Sequence, residues 1–101
     1  MNSLYARVAT EHASRYLQQL CKHWNHRFDV TFDADHGTVH LPGADLGLLA
    51  QPDALVMTLS SPDDTDLIRL GGVVDAHLSR FAFRETLAIV WSGTEAVHSA
   101  S

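Results

Sequence analysis

The chain has almost no cysteine, no basic run and no long apolar run, and each shortage removes a class of protein. Cys21 is the single cysteine among 101 residues, so neither an internal disulfide nor a cysteine-rich metal site can form. It stands on the flank of an apolar stripe, where a buried, inert thiol is the expected state. No uninterrupted apolar segment approaches the roughly 20 residues of a membrane span, and the start MNSLYARVAT lacks the apolar core of a signal peptide. A cytoplasmic protein that does not enter a membrane is therefore expected. Lys and Arg number 7 against 12 Asp and Glu, a net charge of -5. The second half carries the imbalance, with three basic residues against seven acidic. An acidic chain without a basic run makes a poor partner for nucleic acid or anionic membrane. Linkers, repeats and low-complexity segments are also missing.

What is there suits one domain, residues 1–101, with the tail from about Gly93 onward expected to fray. At 46% hydrophobic and 19% charged residues, the composition can build a core and argues against disorder. The organising stretch is TEHASRYLQQLCKHWNHR, from Thr10 to Arg27. Ala13, Tyr16, Leu17, Leu20, Cys21 and Trp24 recur with a period of 3.6 and predict an amphipathic helix. Thr10 is its expected N-cap, with Glu11 in the first turn and Lys22, His23, His26 and Arg27 at the far end, all favoured by the helix dipole.

Around this helix the pattern alternates with a period of two. Leu4, Ala6 and Val8 predict a strand, as do Phe28, Val30 and Phe32. A turn at Asp33 to Gly37, with Gly37 at positive φ, leads to a strand over 38–41, and Pro42-Gly43 breaks the chain. Two more strands are expected near 45–50 and 54–60, around a turn at 51–53. Ser61-Pro62-Asp63-Asp64 reads as a helix start with Ser61 as N-cap. That second helix should run to about Phe83 on a stripe of Leu67, Leu70, Val74, Leu78 and Phe81, with Gly71-Gly72 inside it. LAIVW, residues 87–91, predicts a last strand. The order β-α-β-β-β-β-α-β implies an α+β, two-layer domain, with a mainly antiparallel sheet of five to six strands and both helices on one face. The other face would stay wet unless a second copy covered it.

Reactive side chains gather on the helices. His23 and His26, one turn apart, are the candidate metal pair, but a transition metal would need further ligands, from His77 or an acid. The alternative is a solvated helix end where cationic histidine is favoured. On the second helix, His77, Arg80 and Arg84 would fall along one flank, and with Lys22 and His23 could bind a carboxylate or phosphate. The alternative is that the arginines pair with acids and cover apolar surface with their stems. His36 and His40 are read as exposed hairpin residues, and Asp63, Asp64 and Asp66 as helix-capping acids. No nucleophile–base or acid–base constellation emerges, so an enzyme is the weakest reading and no cofactor is expected.

The segments ASRYLQQLCKHWNHR, Ala13 to Arg27, and HLSRFAFRE, His77 to Glu85, with the closing Trp91, resemble a bacterial domain-of-unknown-function family, number two-two-one-eight in that series. The resemblance spans nearly the whole chain. An acidic residue would be expected after Glu85, where Thr86 stands, and this argues against a paired-carboxylate site. The resemblance implies a small α+β protein of the cytoplasm. Some relatives are fused to, or encoded beside, siderophore-interacting flavin ferric reductases, which implies an accessory role in iron–siderophore metabolism with such a reductase as partner. It supplies no catalytic residues. Two functions of different class follow: a binding or accessory module, or a structural or interaction domain acting as a homodimer without a small ligand.

Trp24, the largest side chain of the first stripe, should be mostly buried, with Leu20 and Phe81 in contact with the same cluster. Trp24→Ala is expected to cost about 3–5 kcal/mol, and His23→Ala well under about 1 kcal/mol, in chemical denaturation. Equal damage from both would place His23 in the core.

Overall fold

In the computed structural model, which describes residues 2–62, 66–82 and 85–93, the chain order is β1 (Asn2–Ala9), α1 (Ala13–Trp24), β2 (Asp29–Phe32), β3 (His36–Leu41), β4 (Ala44–Ala50), β5 (Ala54–Ser61), α2 (Leu67–Phe81) and β6 (Ser92–Gly93). The strands form one antiparallel sheet in the order β2-β3-β4-β5-β1-β6. The expected α+β, two-layer architecture is the one observed.

The topology sets a length requirement on α1. Its chain leaves β1, deep in the sheet, and enters β2 at the far edge, four strand positions away. Strands about 4.8 Å apart make that span about 19 Å. The 12 residues of α1, at about 1.5 Å each, measure about 18 Å. The helix accordingly lies across β2 to β5, while α2 covers β1 and β5. Every residue of the expected stripe on α1 is buried: Ala13, Tyr16, Leu17, Leu20, Cys21 and Trp24. Trp24 is 3% exposed, and Leu20 and Phe81 belong to the same cluster. Leu4, Ala6, Val8, Val39, Leu46, Leu48, Met57 and Leu59 face the helices from the sheet.

Several local expectations are corrected. Thr10 does not cap α1; His12 is the N-cap residue, without a side-chain bond. Ser61 does not cap α2. The ladder between β1 and β5 continues to Asn2↔Ser61, which keeps Ser61 extended and buried. Asp66 is the cap instead, its Oδ1 accepting from the Arg69 N–H at 3.1 Å. The helix ends at Phe81, and the expected extension to Phe83 lies outside the described residues. Gly37 is not a turn residue: it pairs with Phe32 and Leu48 inside β3. A Cβ there would stand 2.9 Å from Cys21 Sγ, so the bare glycine is what lets α1 settle on the sheet. The preceding turn is held by Asp33 Oδ1, which accepts from the N–H groups of Asp35 and His36 at 2.8 Å each. Positive φ belongs to Gly43, at 84°, in the two-residue Pro42-Gly43 turn between β3 and β4.

The segment LAIVW is not a strand. Leu87, Ile89 and Trp91 are half-buried while Ala88 and Val90 are exposed, so the alternation is real. The ladder to β1, however, forms only at Leu4↔Gly93 and Tyr5↔Ser92. Trp91 turns to α2 instead, where Nε1 donates to Asp75 Oδ1 at 2.8 Å. A Cβ on Gly71 would lie 3.1 to 3.3 Å from that indole, whereas one on Gly72 would meet nothing within 4 Å. Gly72→Ala should therefore stabilise the protein by up to about 1 kcal/mol through helix propensity, and Gly71→Ala should destabilise it by displacing Trp91. Urea denaturation compares the two, and an equal gain in both would show that the indole does not rest on Gly71.

Candidate functional site

The two helices meet at their C-terminal portions. His23, in the last turn of α1, and His77, on α2, stand with ring centroids 5.4 Å apart and planes tilted by 44°. The Trp24 ring lies 5.1 Å from His77, and Phe81 meets His23 edge-on at 5.9 Å. His77 Nδ1 lies 2.8 Å from the Val73 carbonyl oxygen. A carbonyl can only accept, so Nδ1 is the donor in this bond and Nε2 takes no part in it. His23 is exposed and His77 half-buried.

The other expected site residues divide. Lys22 and Arg80 are exposed in the last turns of α1 and α2. Neither has an ion-pair partner among the described residues, where the ion pairs are Arg7–Asp53, His36–Asp33 and His40–Asp45. His26 follows the end of α1 and is exposed. Arg84 lies outside the described residues, as do Asp63 and Asp64. His36 and His40 point from the sheet face away from the helices, and His40 Nδ1 is 2.8 Å from Asp45 Oδ1. Burial pushes the Cys21 thiol up to about 11, which makes it a poor nucleophile at neutral pH.

A second cluster escaped the sequence reading. Glu85 Oε1 accepts from the Tyr16 hydroxyl at 2.5 Å and from Thr10 Oγ1 at 2.8 Å, while Thr10 Oγ1 accepts from the His12 N–H at 3.1 Å. Burial and the adjacent Glu85 carboxylate push the Tyr16 phenol up to about 12. The hydrogen bonds from Tyr16 and Thr10 hold the Glu85 carboxyl below its ordinary value. Burial raises Asp75, against the opposing bond from Trp91. Glu85 and Trp91 thus tie the segment after α2 to α1 and to α2. The available signal was Tyr16 itself, a phenol on a buried stripe that needs an acceptor.

Residues 5–92 match a family described as an uncharacterized protein conserved in bacteria (DUF2218). The chain belongs to this family. Its fold is similar to the NMR structure of PA4090 from Pseudomonas aeruginosa, with a TM-score of 0.75 and 40% sequence identity over 91% of this chain and 96% of that one. No curated protein matches the sequence. No described helix is long and apolar enough to cross a membrane.

The Glu85 cluster has a pH signature. Its carboxyl is lowered in the folded state, so its contribution is present above the unfolded value, 4.5, and is lost as pH falls through the folded one. Asp33, lowered by the N–H groups of Asp35 and His36, acts in the same direction. Asp75, raised, acts in the opposite one. Tyr16→Phe should cost about 1 kcal/mol at neutral pH and reduce the loss of stability between about pH 5 and pH 3, leaving the parts due to the Thr10 bond and to Asp33. Thermal unfolding across that range measures it, and an unchanged acid limb would show that Glu85 is not held by Tyr16.

Proposed function

We propose that this protein is a small binding or accessory module whose working surface is the seam between α1 and α2, and that its ligands are anionic. One observation carries the reading: His23 and His77, from different helices, stand 5.4 Å apart beside two helix ends that also bear Lys22 and Arg80, cations without ion-pair partners among the described residues. Such groups keep their donors for a carboxylate, a phosphate or an anionic chelate. The resemblance, which implies that some relatives are fused to or encoded beside siderophore-interacting ferric reductases, makes ferric chelates the first ligands to try and such a reductase the first protein partner.

Calorimetric titration of the full chain with ferric citrate and a ferric catecholate siderophore tests the ligand, and co-elution with a siderophore-interacting reductase tests the partner. Binding should weaken at high salt and fall about tenfold or more in Lys22→Glu and Arg80→Glu, both of which should fold normally because the side chains are exposed. Absence of heat together with absence of co-elution would overturn the reading.

A second reading, a homodimer without a small ligand, has its own support in the sheet face away from the helices. Tyr5 is 44% exposed there, with Val56 and Leu49 also on that face. A self-complementary contact would bury these side chains. Sedimentation at micromolar concentration should then give a dimer that Val56→Lys dissociates, and a clean monomer removes the reading.

A further inference from the structure

The separation of His23 and His77 is compatible with two imidazoles on one ion. A late transition metal binds imidazole nitrogen at about 2.1 Å, which puts each ring centre about 3.2 Å from the ion. Two such rings at a tetrahedral angle have centres about 5.2 Å apart. The observed separation is 5.4 Å. The bond between His77 Nδ1 and the Val73 carbonyl is the kind of outer contact that fixes the tautomer of a metal-binding histidine and directs its other nitrogen to the ion. Trp24 packs against His77 and Phe81 against His23.

We propose that His23 and His77 together coordinate one divalent, nitrogen-preferring transition-metal ion such as Cu²⁺, Ni²⁺ or Zn²⁺. The pair spans two helices, unlike the pair His23 and His26 on one stretch of chain. Among the described residues no group of three or more His, Cys, Asp or Glu side chains gathers. The described residues therefore supply two ligands, and water or a small anion would fill the open positions. The ion would also link α1 to α2, so it should raise the melting temperature, as any ligand does that binds the folded chain alone. The inference does not rest on the anion-binding reading, since it needs neither Lys22 nor Arg80.

The test uses the full chain without an affinity tag, stripped with chelator, and titrated separately with CuCl₂, NiCl₂ and ZnCl₂ by calorimetry and by NMR of the histidine rings. One ion per chain is expected, with the His23 and His77 ring signals moving together on Zn²⁺ addition. His23→Asn and His77→Asn should each lower affinity about tenfold or more, and His26→Asn should leave it unchanged. Melting without metal reports whether each variant is folded. The exposed His23 makes His23→Asn decisive even where His77→Asn disturbs the packing around Trp24. Absence of binding, full affinity in folded His23→Asn, or loss of affinity on His26→Asn overturns the proposal. The anion-binding reading is tested apart from it, by titrating the metal-free protein with inorganic phosphate.

Discussion

The structure depends on a helix that must cross a sheet. β1 sits between β5 and β6, and the next strand in the chain lies at the opposite edge. Only a segment that reaches across β5, β4 and β3 can join them, and α1 has nearly the length of that crossing. Because it crosses four strands, its apolar stripe meets side chains from all of them, and the stripe is buried from Ala13 to Trp24. The same crossing brings Cys21 onto Gly37, where a side chain would keep the helix off the sheet. It also delivers Trp24 to the flank of α2, so that the helix which closes the core also forms one wall of the histidine cluster.

The segment after α2 solves a different problem. Its alternate residues Leu87, Ile89 and Trp91 cover the core beside β1, yet its backbone joins the sheet only at Ser92 and Gly93. Two polar anchors take the place of a ladder: Glu85 on the hydroxyls of Thr10 and Tyr16, and Trp91 on Asp75. Both anchors satisfy polar groups that burial would otherwise leave costly, the Tyr16 phenol and the Trp91 indole N–H. The chain thereby gains cover for its core at an edge where a long flat strand would invite pairing with another molecule.

The histidine seam and the open sheet face offer different physical opportunities. At the seam, aromatic packing positions an exposed His23 beside a half-buried His77 whose Nδ1 is held by the Val73 carbonyl. The opposite face carries Arg7 beside Asp53, and His40 beside Asp45 with Asp29 across the strand. Exposed pairs of this kind contribute little stability, and Tyr5 is a large exposed side chain of that face.

The sequence by itself determined the element order, both helical stripes and the inward parity of the strands, because apolar periodicity records which side of an element leaves water. It also placed Trp24 in the core and grouped His23 with His77 on the helices. Local signals failed where long-range pairing overrode them. Ser61 resembles a cap, but the ladder with Asn2 holds it extended; Gly37 resembles a turn glycine, but the approach of Cys21 requires it bare; LAIVW resembles a strand, but Trp91 is drawn to Asp75. The partnership of Glu85 with Tyr16 joins residues 69 apart in the chain. Its hydrogen bonds leave no periodic trace, because a polar contact depends on where two side chains meet in space, and only the folded chain decides that.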